Sequence, residues 1–462
     1  MSIQQTISPV DGRVYVEREL AGEAAIATAL DKAEAARKGW RETPVAERQA
    51  ILSRFVDAML AQAPAAAEEI TWQMGRPIGQ SPGELRGFEE RSRYMIGMAA
   101  EALADIRFDD KPGFVRFIRR EPVGTVFVIA PWNYPYLTAV NSIVPALLAG
   151  NAVILKHSAQ TPLVAERFAS ALAEAGLPDG VFQYLHLAHA DALRIVASGR
   201  IAHTSFTGSV QGGREVAAAA GRTFGSTTLE LGGKDPAYVR ADADLQHAIE
   251  NIGDGVFFNS GQCCCGVERV YVHADVHDRF VEGLAAFASG YRLGDPTESS
   301  TNLGPMARAR TADLVRDHVA AAIAAGARAL VDLHRFDRDR RGSCYVAPQV
   351  LTGVDHRMKL MWEETFGPVA GVMKVASDQE ATALMNDSPY GLTAAVWTSD
   401  VKAAERIGDA LETGTVFMNR CDYLDPALAW TGVKDSGRGV SLSRLAYEHL
   451  TRPKSFHLRR VG

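Results

Sequence analysis

Residues 126–158 read VFVIAPWNYPYLTAVNSIVPALLAGNAVILKHS, and this stretch decides the fold class. Residues 126–129 are apolar at every position. After Pro131-Trp132-Asn133-Tyr134-Pro135 a helical stretch ends near Gly150, and residues 152–155 are a second uninterrupted apolar run. A strand that is apolar at each position, not at alternate ones, is built for burial on both faces, and strand–helix–strand order is the unit of a parallel sheet. The rhythm continues outward. A helix is expected over 161–175, a strand over 181–185, a short helix near Asp191 and a strand over 202–206. A helix from Gly208-Ser209 to about Ala220 and a strand over 227–231 follow. This predicts a doubly wound α/β sheet, which binds ligands at the carboxyl ends of its strands.

Upstream, residues 22–39 and 44–63 are alanine-rich with apolar side chains at helical spacing. Thr43, Pro44 and Glu47 mark the start of the second helix, and a third is expected over 82–103. Residues 114–120 (FVRFIRR) alternate apolar and basic side chains, the pattern of a half-buried antiparallel strand. Downstream, strands are expected over 236–239, 269–272, 345–351, 369–375, 392–397 and 416–418. Residues 333–342 read as an exposed charged loop and 455–460 as a closing strand.

The whole chain has 462 residues, more than one ordinary core holds, so two or three domains are expected. Its 47% hydrophobic and 23% charged content is that of a soluble globular protein. A formal net charge of -6 argues against a nucleic-acid partner, which needs a basic face. Five cysteines, three of them contiguous, make no disulfide framework and point to a reducing compartment. The N-terminus lacks the basic and apolar regions of a signal peptide, and no apolar run is long enough to cross a membrane. A cytoplasmic location is expected.

Chemistry concentrates at residues 256–269, VFFNSGQCCCGVER. Successive side chains diverge by about 100° on a helix and about 180° on a strand, so one of Cys263, Cys264 and Cys265 at most can face a given pocket. Core packing, a metal site and a catalytic thiolate compete here. Zinc spacing is absent, and Gly261 lets backbone approach a ligand closely. The glycine fingerprint of dinucleotide sites is also missing. In its place Thr207-Gly208-Ser209-Val210-Gln211-Gly212-Gly213 opens a helix, where backbone N–H groups either hold a phosphate or simply cap the helix. Lys156 stands at a strand's carboxyl end. Glu230, inside Leu229-Glu230-Leu231-Gly232-Gly233, is a carboxylate in an apolar strand, either a structural hydrogen-bonder or a general base. Asn133 is either a turn residue or an oxyanion donor. Glu364 with Phe366-Gly367-Pro368, taken singly, is a loop.

Together, Pro131-Trp132-Asn133, Lys156, Phe206-Thr207-Gly208-Ser209, Glu230-Leu231-Gly232-Gly233-Lys234, Asn259-x-Gly261-Gln262-x-Cys264 and Glu364-x-Phe366-Gly367-Pro368 resemble the aldehyde dehydrogenase superfamily. The likeness runs from Ser8-Pro9-x-Asp11-Gly12 to Lys434-x-Ser436-Gly437. It implies two Rossmann-like, doubly wound domains and a small antiparallel oligomerisation arm. The cofactor-binding domain would comprise 1–108 and 124–231, the catalytic domain 232–435, and the arm 109–123 and 436–462. A homodimer or homotetramer would form by pairing of the arm across subunits.

By the same resemblance Cys264 is the nucleophile, forming a thiohemiacetal and then a thioester. Asn133 and the Cys264 N–H hold the oxyanion, and Glu230 activates the hydrolytic water. Trp132, Lys156, Gly208, Ser209, Gly213, Glu364 and Phe366 would bind NAD or NADP. Tyr134, Leu137, Asn141, Cys263, Cys265 and Trp430 would line the pocket for a small aldehyde, and no metal is implied. No arginine pair for a substrate carboxylate can be placed from the sequence, and an uncharged or aromatic aldehyde fits as well as a short semialdehyde. Two positions depart from the family pattern. Ala159 replaces the acid that repels a 2′-phosphate, so NADP is expected to be tolerated. Ser441 replaces an acid near the C-terminus. Acyl transfer to coenzyme A is the rival reaction, against which Glu230 argues. A non-catalytic binding or structural derivative is the rival class, against which the intact thiol, amide and carboxylate argue.

Overall fold

Burial dictates where the two sheets form. The computed structural model describes residues 2–421 and 423–461. It opens on a hairpin, β1 (Ile3–Ile7) and β2 (Val14–Glu19), that apolar periodicity does not reveal because most of its side chains are exposed. Four helices follow: α1 (Glu23–Trp40), α2 (Val45–Ala61), α3 (Ala63–Met74) and α4 (Pro82–Ala102). The helix expected over 44–63 thus stops at Ala61, and α3 was not expected. Pro64 explains the break, since proline suits a first helical turn and disrupts an interior. Pro44 is the N-cap of α2, and no side chain caps that end.

Next come β3 (Ile106–Arg107), β4 (Phe114–Pro122), β5 (Thr125–Ile129), α5 (Pro135–Leu148), β6 (Ala152–Lys156) and α6 (Leu163–Glu174). They lead into β7 (Phe182–Tyr184), α7 (His189–Val196), β8 (His203–Thr207), α8 (Val210–Ala220) and β9 (Ser226–Glu230). All five residues of β5 are buried, as its composition requires. The chain runs from β5 outward through β6 and β7, then crosses back to lay β8 and β9 on the other side of β5. The crevice where strand order reverses lies at the carboxyl ends of β5 and β8, the place where such sheets hold ligands.

The second half supplies β10 (Asp235–Val239), α9 (Leu245–Phe257), β11 (Val267–His273), α10 (His277–Ser289), α11 (Ala309–Ala324), β12 (Arg328–Ala329) and β13 (Gln349–Thr352). After these come α12 (Lys359–Trp362), β14 (Val369–Val375), α13 (Asp378–Asn386), β15 (Tyr390–Gly391), β16 (Thr393–Trp397), α14 (Val401–Ala410) and β17 (Thr415–Met418). They build a second sheet in the order β12-β13-β14-β11-β10-β16-β17, parallel except at β12. The strand expected over 345–351 shrinks to β13. Pro348 has no N–H to give a ladder, and Arg316 Nη2 engages the Tyr345 carbonyl.

The chain closes with β18 (Val433–Lys434), β19 (Gly437–Arg438) and β20 (Thr451–Arg459). The segment from 436, expected to begin the arm, first returns to the six-stranded sheet. There β19 pairs antiparallel with β9, setting Gly437 opposite Glu230. The arm itself is β20-β4-β3, and β20 pairs with β4 of its own chain from Thr451↔Pro122 to Arg459↔Phe114. No other described strand pairs with β20. Among the described residues no helix is long and apolar enough to cross a membrane.

Candidate active site

A tight backbone knot presents the three cysteines. Asn259, Ser260 and Gly261, just after α9, all take positive φ values of 54°, 57° and 69°. Consecutive left-handed residues are strained unless surroundings fix them. Here Asn259 Nδ2 donates to the carbonyls of Asn133 and Gln262, both at 3.2 Å. Gln262 Nε2 donates back to the Asn259 carbonyl at 3.0 Å, and Ser260 Oγ donates to the Gly304 carbonyl at 2.7 Å. Gly261, expected from the sequence to let backbone approach a ligand, has the close approach of another backbone segment. A Cβ there would run into the Gly367 backbone, so it docks the Phe366-Gly367-Pro368 turn against the cysteine loop. Gly233 likewise makes room for the Cys264 carbonyl.

The cysteine loop, α4, α5 and the end of β9 enclose one cavity. Its walls include Glu230, Tyr134, Leu137, Asn141 and Trp430, all expected at the site, and all three of Cys263, Cys264 and Cys265, where at most one was expected. The three lie in a turn, to which the side-chain divergence of a helix or strand does not apply. Cys265 is buried against Trp430 and Leu442, and its sulfur is 3.4 Å from that of Cys263. The three thiols interact. Cys264 is held well above the usual thiol range, first by its hydrogen bond with Cys263, then by burial and by the negative charge of Glu230.

Glu230 has a protein donor on each oxygen. Thr207 Oγ1 donates to Oε2 at 3.0 Å, and Ser441 Oγ donates to Oε1 in a short hydrogen bond. Burial raises this carboxyl above its ordinary value, while the two hydroxyls and the Arg91 guanidinium oppose the rise. Asn133 is joined to the cysteine loop by hydrogen bonds with Gln262 and Asn259. One of its amide N–H groups is directed at the Gln262 carbonyl at 3.3 Å, which leaves the second for another acceptor.

Residues with no sequence signal hold this assembly in place. Arg76, fully buried, pairs with Glu84, donates to Asn259 Oδ1 at 3.1 Å and to the Asn133 carbonyl, and sits 4.7 Å over the Tyr134 ring. Glu84 accepts from the N–H groups of Tyr136 and Leu137, both at 2.9 Å, at the start of α5. Glu268 pairs with Lys234 and accepts from the N–H groups of Thr365 and Phe366 at 2.8 and 2.9 Å, fixing the Glu364 loop.

The crevice of the first sheet holds the residues expected to bind a cofactor. The side-chain Nζ of Lys156, at the end of β6, has no hydrogen-bond or ion-pair partner among the described residues. Burial and the Arg308 guanidinium both lower its pKa. The Glu364 carboxyl is pushed up to about 8, chiefly by burial and then by Glu268, and it accepts from the Gly233 N–H at 3.1 Å. Trp132 and Phe366 meet edge-on at 5.8 Å. Ser209 is the N-cap of α8, accepting from the Gly212 N–H at 3.2 Å, and Gly208 packs on the Phe206 ring. Gly213 is buried with its Cα against Leu231, which gives it a packing role between helix and strand. An unpartnered ammonium and a carboxyl poised near neutrality at a switch-point crevice fit the phosphate and ribose hydroxyls of a dinucleotide. The peptide O of Ala159 accepts from Thr6 Oγ1 at 2.7 Å, and its methyl brings no charge near Lys156.

The sequence profile of the aldehyde dehydrogenase family matches residues 2–456. The chain is 35% identical over 440 residues to the succinate-semialdehyde dehydrogenase [NADP(+)] 1 of Mycobacterium tuberculosis strain H37Rv, covering 95% of this chain and 96% of that one. It is 35% identical over 456 residues to the 3,6-anhydro-alpha-L-galactose dehydrogenase of Streptomyces coelicolor, covering 98% and 92%. The solved structure of an indole-3-acetaldehyde dehydrogenase with NAD+ superposes with a TM-score of 0.93 at 32% identity, covering 99% and 93%.

Proposed function

The chain belongs to the aldehyde dehydrogenase family, and from that premise, an NAD(P)-dependent oxidoreductase acting on aldehydes, we propose how its residues divide the work. The sulfur of Cys264 adds to the aldehyde carbon as its proton passes to solvent, giving a thiohemiacetal. Asn133 Nδ2 and the Cys264 N–H donate to the oxygen on which charge develops. When bound, the nicotinamide supplies the acceptor for the hydride of that carbon. Loss of that hydride leaves a thioester on Cys264, and Glu230 takes a proton from a water molecule, whose oxygen adds to the thioester. The carbon–sulfur bond breaks, and the carboxylic acid leaves.

Lys156, Glu364, Trp132, Gly208, Ser209 and Phe366 would hold NAD or NADP, and Ala159 leaves room for the 2′-phosphate. Residues 1–108 with 124–231 would serve as the cofactor-binding domain, 232–435 as the catalytic domain, and 109–123 with 436–462 as the arm. The open edge of β20 suits pairing in a homodimer or homotetramer, since an unpaired edge invites another chain. A cytoplasmic location agrees with five free thiols.

The observation that supports this reading best is the enclosure of Cys264 and Glu230 in one cavity. To test it, the Glu230→Gln protein is mixed with aldehyde and NADP, quenched, digested and weighed by mass spectrometry. An acyl adduct on the Cys264 peptide is expected. An adduct confined to Cys263 or Cys265, or none while the reduced cofactor accumulates, would sink it.

A further inference from the structure

Two guanidiniums line the cavity, and they differ in their partners. Arg76 is paired with Glu84. Arg91, on α4, is 9% exposed and has no carboxylate in ion-pair contact among the described residues. Its Nη1 donates to the Leu137 carbonyl at 3.0 Å and to the Asn141 side-chain oxygen at 3.3 Å, while Nε and Nη2 make no hydrogen bond to a described residue. The two nearby acids are otherwise engaged: Glu84 with Arg76 and the start of α5, Glu230 with Ser441 and Thr207.

We propose that Arg91 is a substrate-binding residue that takes a carboxylate at the end of the substrate remote from the aldehyde, so that the site is built for short ω-oxo acids. A buried guanidinium without a counter-ion is costly, and its fork of N–H groups matches a carboxylate in geometry as well as charge. Burial draws the Arg91 pKa down, with Glu84 and Glu230 opposing, yet arginine keeps its charge at neutral pH. The Leu137 and Asn141 contacts pin one edge of the guanidinium and leave Nε and Nη2 for the ligand. An aromatic or aliphatic aldehyde would leave those N–H groups desolvated and unmatched, which is how a polar site rejects an apolar analogue.

This assignment rests on the aldehyde oxidation proposed above, and one experiment separates the two. The intact protein is assayed with succinate semialdehyde and with 4-oxobutanamide, which matches its length without the charge. A kcat/KM preference of about 100-fold for the acid is expected, of the size a charge-assisted hydrogen bond supplies. Arg91→Gln should lower that preference to near parity, mainly through KM for the acid, and Arg91→Lys should restore part of it. Equal kcat/KM for the two aldehydes with the intact protein overturns the Arg91 assignment whatever the variants do. So does an equal loss on both aldehydes in Arg91→Gln, which would place Arg91 in support of Glu230 or Cys264. Turnover of neither by the intact protein, while an aromatic or aliphatic aldehyde is oxidised, also overturns the Arg91 assignment. Turnover of no aldehyde in such a series would overturn the aldehyde reading itself.

Discussion

The polar groups around Cys264 and those that await ligands are in opposite states. On the reacting side nearly everything is engaged. Glu230 has a hydroxyl on each oxygen, Asn133 and Gln262 are tied to the cysteine loop, and the three thiols interact with one another. On the binding side two cations wait, Lys156 in the crevice of the first sheet and Arg91 in the cavity wall. Reaction groups must be held in position before substrate arrives, so the protein satisfies them itself. Ligand-binding cations gain most when the ligand supplies the missing partner.

Changes on the two sides should therefore fail differently, and the largest effect breaks the comparison at its centre. Cys264→Ala is expected to lower kcat by at least about 10⁴-fold with cofactor binding retained, whereas Cys263→Ser should cost about tenfold or less. Steady-state formation of reduced cofactor, with binding followed by fluorescence, checks both, and the reverse order would move the nucleophile to Cys263. Glu230→Gln should cut turnover by about 10³-fold while a single-turnover burst of reduced cofactor survives. Loss of the burst as well would show Glu230 to be needed mainly to deprotonate the thiol.

On the binding side, Ala159→Glu should raise the KM for NADP by about 100-fold and leave that for NAD within a few-fold, because the new carboxylate faces a 2′-phosphate. An equal change for both cofactors would remove Lys156 and Ala159 from that role. The smallest effect sharpens the engaged side. Because burial raises the Glu230 carboxyl, kcat should fall on acidification at a pH above the ordinary glutamate value of about 4.3. Ser441 donates to the ionised form, so Ser441→Ala should move that acid limb to higher pH and lower kcat by about tenfold or less. A pH–rate profile unmoved by this change would deny the contact any part in tuning the base.

Some of this site was legible before folding was considered, and some was not. The strand–turn–helix rhythm around residues 126–231 placed Lys156 at a strand end, Thr207 and Ser209 at the opening of a helix and Glu230 within a strand, because burial on both faces leaves a mark at every position of a strand. Arg76, Glu84, Arg91 and Glu268 left no such mark. Each is a charged residue on or beside a helix or strand, like many on the surface, and its burial depends on segments far away in the chain. Gly213 shows the converse, since a glycine at a helix start reads as a phosphate contact, and its packing seam against Leu231 shows only in the fold.

By itself the sequence determined the α/β class, the alternation that aims the strand ends at one crevice, and the residue types of a thiol–carboxylate–amide site. Those follow from local periodicity and from chemistry carried by single residues. Tertiary structure alone decided that β19 returns beside β9 and so brings Ser441 to Glu230, that Gly261 docks the Gly367 turn, and that Arg91 enters the cavity without an acid. These depend on contacts between segments tens to hundreds of residues apart, where desolvation and pairing, not local propensity, set the energy.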